Sequence, residues 1–229
     1  MERYDLKTYG RHLAKPKGYI ARVGTDAFRH RFGGSSWTIH DPDQLGYGPT
    51  LLLTLDLRDP RLSAIGAEGI DELPLCAYLD CVTMGRQVYS IDPPGRKAIL
   101  VERHLSGPPE FLRPEIQFPN PLPEKNLRLH DLKPENYPKN EKNYWACCDE
   151  FLGGDGVIRV LGPPIWLQWV EEETCRCGKP MAYVASIGYE VDNAHRQLLD
   201  AGPFFPGELA TYFFFCKVCN EVVVIVQST

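Results

Sequence analysis

Residues 212–227 read YFFFCKVCNEVVVIVQ, in which two apolar runs lie on either side of a short cysteine motif. The first run is aromatic. The second is continuous and rich in β-branched residues, as in strands that are buried on both faces. Cys216 and Cys219 occupy the segment between the two runs. The pattern predicts strands at 208–216 and 221–227, joined by a turn that carries both cysteines.

A second cysteine pair lies upstream at Cys175-Arg-Cys177-Gly178, with 38 residues between it and the first pair. Four thiolates from two short loops can complete the tetrahedral site of a structural zinc ion, although two to four residues usually separate paired ligands and here only one does. Gly178 suits a tight knuckle, because the backbone must pass close to the sulfurs. The spacing predicts zinc bound by Cys175, Cys177, Cys216 and Cys219.

Two other interpretations of these cysteines stay open: all four are unligated, or Cys216 and Cys219 form a redox-active disulfide. A thioredoxin-like site is disfavoured, because the motif does not open a helix in a βαβ unit. The opening residues MERYDLK lack the apolar region of a secretory signal, so a cytoplasmic protein is expected. Thiols stay reduced in that compartment, and reduced cysteine pairs bind metals more often than they form disulfides.

The remaining reactive side chains form no recognisable catalytic set. Cys76, Cys81, Cys147 and Cys148 suit buried apolar positions better than a second metal site. The six histidines share no metal-binding spacing, and the chain carries neither a Gly-X-Ser-X-Gly motif nor a complete phosphate-binding loop. The sequence therefore favours a protein that is not an enzyme.

Composition narrows the range of partners. The chain has 229 residues, of which 43% are hydrophobic and 24% charged, and its net charge is −5. This acidic balance gives no electrostatic reason to expect a nucleic-acid partner. No run approaches the roughly 18–20 apolar residues that span a bilayer, so no membrane association is expected either.

Apolar patterning predicts a mainly β chain. In residues 50–57 the odd-numbered leucines fall on one face, which predicts a strand with one buried face. The punctuated apolar runs predict further strands at 74–82, 86–91, 96–103, 156–161, 165–170 and 181–189, and short helices at 2–15 and 193–200.

Proline density divides the chain. Residues 106–145 contain eight prolines, a density that predicts a surface connector without a helix or a regular strand. On this interpretation, residues 1–105 form an N-terminal β-rich half. Residues 146–229 form a C-terminal β-rich half with the zinc site.

Similar motifs recur in the two halves. A glycine-containing turn precedes Trp37 and also Trp166, and the offset between these tryptophans is 129 residues. The offset between Tyr78, in Leu75-Cys-Ala-Tyr78, and Tyr212, in Leu209-Ala-Thr-Tyr212, is 134 residues. The order suggests an internal duplication, with chance recurrence as the alternative. We therefore predict an α+β fold, predominantly β, with two related β-rich halves and a four-cysteine zinc knuckle in the second half.

The C-terminal half also resembles a known family. Leu161-Gly-Pro-Pro-Ile-Trp-Leu-Gln168 is followed by Cys175-Arg-Cys-Gly-Lys-Pro-Met181 and then by Tyr212-Phe-Phe-Phe-Cys216. This order resembles the YwqG-like family, a bacterial family of unknown function. The fit of the N-terminal half is looser. The motif is also faintly similar to the C-terminal domain of programmed-cell-death-2 proteins. Some YwqG-like members are associated with secreted bacterial toxins as immunity proteins, which implies another protein as the partner.

Taken together, these features predict a non-catalytic, zinc-stabilised binding protein that engages another protein. The alternative is an enzyme with an unrecognised active site in the cleft between the two halves.

Overall fold

The structure, a computed structural model, describes residues 17–81, 83–111, 118–137, 141–154, 156–169, 171–191 and 197–228. The helix predicted at 2–15 lies outside these residues, as does most of the one predicted at 193–200. Residues 197–200 are described and are not helical.

Strands account for most of the regular structure, with 42% of the chain in strand and 9% in helix. The only α-helix among the described residues, α1, spans Glu141–Phe151, and short 3-10 helices span Pro60–Ile65 and Pro134–Asn136. The strands in chain order are β1 (Tyr19–Val23), β2 (His30–Phe32), β3 (Thr38–His40), β4 (Thr50–Asp56), β5 (Glu72–Ala77), β6 (Met84–Asp92), β7 (Lys97–Leu105), β8 (Lys125–Asp131), β9 (Ile158–Val160), β10 (Ala182–Ile187), β11 (Leu209–Cys216) and β12 (Glu221–Ser228).

All twelve strands belong to one sheet, in the order β3-β7-β6-β12-β11-β10-β9-β1-β8-β2-β4-β5. Neighbouring strands are antiparallel except β3 and β7, which are parallel. The last strand, β5, lies beside β6 and β12, so the sheet curls until it is nearly closed. The predominantly β prediction is confirmed.

Alternate side chains of β11 divide between two apolar clusters. Phe213 and Phe215 belong to a large cluster enclosed by the curled sheet. Tyr212 and Phe214 point to the opposite face, where they pack with Trp166 and with the buried side of α1. Every residue of β11 after Leu209 is buried. The aromatic run is therefore a core strand with both faces covered, as its composition predicts.

The prediction that residues 106–145 lack a helix or a regular strand is wrong. The prolines stop at Pro123 and resume at Pro134, which leaves room for β8, whose Leu127 and Leu129 are buried. This strand lies between β1 and β2 in the middle of the sheet. The helix α1 begins within the same region, after its last proline, Pro138.

Two strand predictions also need correction. All seven residues of β4 are buried, rather than one face only, because its second face is covered as well. The strand predicted at 165–170 does not form. Residues 165–169 are irregular, and Trp166 is fully buried against aromatic rings instead of joining the sheet.

The units β2-β4-β5 and β9-β10-β11 have the same internal geometry. In each unit the middle strand is antiparallel to both neighbours and carries a register shift, around Leu52 in β4 and around Val184 in β10. The Gly33 N–H, just past β2, donates to the Leu52 carbonyl at 2.9 Å, and the Leu161 N–H, just past β9, donates to the Val184 carbonyl at 2.8 Å.

Candidate metal centre

The four predicted cysteines come together in space. Cys216 ends β11, Cys219 lies in the turn to β12, and Cys175 and Cys177 lie in the loop before β10. All four sulfur atoms lie within 4.8 Å of one another. No other group of three or more potential ligands is found among the residues that the structure describes.

The first cysteine pair lies in a tight knuckle, residues 174–180, held by its own backbone. Thr174 and Pro180 form an isolated β-bridge across it. The Cys175 N–H donates to the Lys179 carbonyl at 2.9 Å, and the Gly178 N–H donates to the Cys175 carbonyl at 2.8 Å. Gly178 has a φ of +75°, which other residues adopt only with strain. The positive φ favours a glycine in the knuckle, whereas a Cβ at this position would meet no atom within 4 Å outside the two neighbouring residues, so the predicted close approach to the sulfurs is not seen.

The second pair lies in the hairpin turn between β11 and β12. Cys216 pairs with Glu221 across the turn. The Asn220 carbonyl accepts a hydrogen bond of 2.8 Å from the Ile91 N–H at the end of β6. The turn is therefore fixed from both sides by backbone bonds, and the position of its two thiols follows from the sheet.

The sulfur spacing suits an enclosed ion. The Sγ atoms of Cys177 and Cys216 are 3.8 Å apart. A tetrahedron with metal–sulfur bonds of about 2.3 Å has sulfur–sulfur edges of about 3.8 Å. A disulfide would bring the sulfurs to about 2.05 Å, and all eight cysteines are free. The spacing of the four sulfurs is therefore compatible with a bound metal ion.

Electrostatics at the four thiols is uneven. Burial raises the pKa of the Cys175 thiol, which donates to the Glu221 carboxylate at 3.2 Å. A hydrogen bond from the Lys179 backbone N–H is the main reason why the pKa of the exposed Cys177 falls to about 7. Cys177 is thus ready to bind a cation at neutral pH, whereas Cys175 must first lose its proton to the incoming metal.

A buried carboxylate lies next to the sulfurs and has its own counter-charge. Glu221 is 2% exposed, and its Oε1 lies 2.6 Å from the Arg176 guanidinium. A four-thiolate site with a divalent ion carries net negative charge, which this arginine and the adjacent Lys179 and Lys217 partly offset. Sequence reasoning missed Glu221, because nothing in its local pattern marks it as a neighbour of the sulfurs.

The other four cysteines are buried and separate from this group, as predicted. Among the histidines, His30 is fully buried, and both of its ring nitrogens are engaged. Its Nδ1 accepts from the Asp56 N–H at 3.2 Å, and its Nε2 lies 2.8 Å from the Asp59 carboxylate. Such a histidine is structural, because no ring nitrogen is left to act on a substrate. His12 and His195 lie outside the described residues.

Among the surface cavities formed by the described residues, two have volumes of about 610 and 290 Å³. Both are lined only by residues between Arg29 and Pro121, so neither lies between the two halves of the chain. No local pattern marks the larger cavity, because its lining comes from five separate stretches that only the fold brings together: Arg29, Trp37, Arg58, Gly69, Asp71, Glu72, Pro93, Pro94 and Arg96.

The chain matches no model of a known protein family, no curated protein and no solved structure. The similarity to the YwqG-like family therefore stays a prediction from sequence motifs. Within the described ranges, no helix has both the length and the apolar character needed to cross a bilayer.

Proposed function

We propose that this protein is a non-catalytic binding protein whose C-terminal half is stabilised by a structural zinc ion. The observation that supports the proposal is the cluster of four sulfurs within 4.8 Å, drawn from two hairpins that are distant in sequence. Four cysteine ligands leave no open coordination position, which is the mark of a structural site rather than a catalytic one. Thiolate ligands in tetrahedral geometry favour zinc, with iron as the competing ion.

Binding, rather than catalysis, is supported by how the polar groups are used. The buried His30–Asp59 pair is satisfied internally, and the sulfur cluster is suited to a closed metal site. Large apolar side chains remain exposed at the surface, including Trp145 and Trp169 at 51% and 59%. Exposed aromatic residues are typical of protein interfaces. We propose that the partner is another protein, as the YwqG-like resemblance implies, and that both are found in the bacterial cytoplasm.

We also propose that the two halves arose by duplication. The support is the matching register of the two three-strand units. Phe32 pairs with Leu53, and Val160 pairs with Ala185, at the same position of the middle strand. Phe32 therefore corresponds to Val160. When this correspondence is continued along the third strand of each unit, β5 and β11, Tyr78 aligns with Cys216. The sequence-based alignment of Tyr78 with Tyr212 is therefore shifted within this scheme.

Metal analysis tests the zinc proposal. Protein purified without chelator is expected to contain about one zinc ion per chain, bound by four thiolates. Cys216→Ser should lose the metal and lower the stability, whereas Cys148→Ser, which changes a buried cysteine outside the site, should keep the metal. A metal-free wild-type protein of unchanged stability, bound iron, or a Cys216–Cys219 disulfide under reducing conditions would contradict the proposal.

Affinity capture from native bacterial extract tests the binding proposal. A stoichiometric protein partner that the wild-type protein captures and the variant Trp169→Ala does not would support it. Reproducible turnover in hydrolase, transferase and oxidoreductase screens, abolished by a single substitution outside the cysteines, would instead favour the enzyme alternative.

A further inference from the structure

The larger cavity is a polar groove on the N-terminal half, with a volume of about 610 Å³. It includes Glu72 of β5, whereas the next residue, Leu73, belongs to the cluster inside the sheet. The groove is therefore built on the outer face of the sheet. Its volume lies in the range of about 300–1,000 Å³ that is typical of small-molecule sites.

Three arginines line this groove, and each has donors to spare. Arg29 is exposed and makes no ion pair with any carboxylate of the described residues. Arg58 is bound to the buried Asp56 through its Nε and one terminal nitrogen, yet its side chain is 56% exposed. A guanidinium has five N–H donors, so the pairing of Arg58 leaves others free to contact a ligand.

The third arginine, Arg96, lies over the Trp37 ring with 5.3 Å between its guanidinium carbon and the ring centroid. It donates to the Ser36 carbonyl and to Glu72, and its side chain is 49% exposed. Glu72 is shared with a further arginine, Arg31, at 3.0 Å. Glu72 thus pairs with two guanidinium groups. The charged residues that line the groove are three arginines and two carboxylates, Glu72 and Asp71, which leaves a small excess of positive charge.

Two buried N–H donors lack an acceptor within the described part of the chain: the indole Nε1 of Trp37, which lines the groove, and the Nε of Arg31, which pairs with Glu72 of the groove. Buried donors without acceptors are costly. Together with the arginines, they produce a local field that favours an acceptor-rich, negatively charged ligand.

We propose that this groove binds a small molecule through anionic oxygens, of phosphate or carboxylate, with Arg29, Arg58 and Arg96 as the contact residues. The proposal deepens the binding part of the proposed function by naming a ligand class, and it does not depend on the metal. Although the net charge of the chain is −5, three arginines with N–H donors to spare line this cavity, and a ligand with anionic oxygens meets favourable charges there.

Titration with two small anions tests this site. Inorganic pyrophosphate and citrate represent the phosphate and carboxylate forms, and ionic strength is held constant because salt screens exposed charges. The readout is the indole N–H signals of the four tryptophans in a nitrogen–proton NMR spectrum, with Trp37 assigned through Trp37→Phe. Binding should shift the Trp37 signal, because a ligand that pairs with Arg96 changes the cation over the ring, and should leave Trp145 unmoved.

Arg29→Gln is the decisive variant, because it breaks no ion pair within the part of the chain that the structure describes. It should weaken binding about tenfold, the effect of losing one charge-assisted hydrogen bond. Arg128→Gln, which removes an exposed arginine of β8 outside the groove, is the matched control and should leave the affinity within about twofold, as expected of a screened surface charge. Preference for pyrophosphate or citrate then distinguishes the two anion types.

Three results would overturn the inference. Neither anion shifts the Trp37 signal; or both variants weaken binding equally; or a hexaglutamate peptide binds at the groove while both small anions fail, which would make the ligand a protein segment. None of these results bears on the zinc content or on capture of a protein partner, so failure of this site and failure of the proposed function remain distinguishable.

Discussion

His30 is a titratable residue that the fold keeps neutral. Burial lowers its pKa from 6.5, even though the neighbouring Asp59 carboxylate acts in the opposite direction. The His30 imidazole therefore binds a proton near pH 6.5 in the unfolded chain but stays neutral at that pH in the folded protein. Stability from this group is fully present above pH 6.5 and is lost as the pH falls below that value.

We therefore expect the free energy of unfolding to fall below pH 6.5 by up to about 1.4 kcal/mol per pH unit for this one proton. Urea unfolding between pH 7.5 and 5.0 measures the slope. His30→Gln should reduce it, and His40→Gln, in the exposed edge strand β3, should leave it nearly unchanged. An NMR titration of wild-type His30 with a midpoint near 6.5 would show that the prediction is wrong.

Among the elements, α1 has an apolar side and an exposed side. Phe151 is fully buried, in the cluster with Trp166 and Tyr212, whereas Trp145 is 51% exposed. Phe151→Ala should lower the free energy of unfolding by about 3–5 kcal/mol, because it leaves a cavity in the core. Trp145→Ala should cost less than about 1 kcal/mol. Denaturant unfolding measures both, and equal losses would mean that the helix does not pack as described.

On the proposed duplication, the helix also accounts for the position of the groove. Residues 24–29 alone join β1 to β2, whereas the corresponding link between β8 and β9 contains α1. Next to α1, Arg159 is completely buried and donates to the Asn136 carbonyl. Its counterpart, Arg31, instead pairs with Glu72 at the groove. The N-terminal half keeps open a surface that the C-terminal half covers with a helix.

The same comparison shows two ways of fastening a loop to a hairpin. In the C-terminal half, the knuckle meets the β11–β12 turn through four sulfurs. In the N-terminal half, the loop before β4 meets the segment after β5 through hydrogen bonds. The Leu45 N–H donates to the Tyr78 hydroxyl at 3.1 Å, and the Tyr47 N–H donates to Asp80 at 2.8 Å. The Tyr78 hydroxyl also donates to Asp41.

How far the sequence could predict this molecule depends on the range of each interaction. The cysteine pairs and Gly178 were recognisable because ligand spacing and turn geometry are local. The strand β8 was hidden between prolines, and its place beside β1 depends on pairings such as Arg22 with Arg128, which no local pattern encodes. The groove was unpredictable for the same reason, since Arg29 and Arg96 meet only after the sheet has curled.

At the scale of the whole molecule, the two halves are interlocked rather than side by side. β1 pairs with both β8 and β9, and β12 pairs with β6 over five residues, from Glu221–Ser90 to Ile225–Arg86. Ladders between the halves therefore occur at two separate places in the sheet. Neither half can unfold without exposing strand edges of the other.

We expect the protein to unfold in a single cooperative step. In native-state hydrogen exchange, the amides of Leu53 in β4 and Phe213 in β11 should lose protection at the same denaturant concentration. The reason is that both amides exchange only when the whole protein unfolds. Loss of protection in β9–β11 well before β2–β5 would instead indicate independent domains.

The near closure of the sheet has a consequence for crowded solutions. An open sheet ends in two rows of unpaired amides and carbonyls, to which a strand of another molecule can add. Here one terminal strand, β5, lies beside β6 and β12, where the sheet returns upon itself. The other, β3, is only three residues long. A neighbouring copy thus finds a short or partly covered edge at each end of the sheet, and we expect the folded chain to add strands from other molecules less readily than an open sheet would.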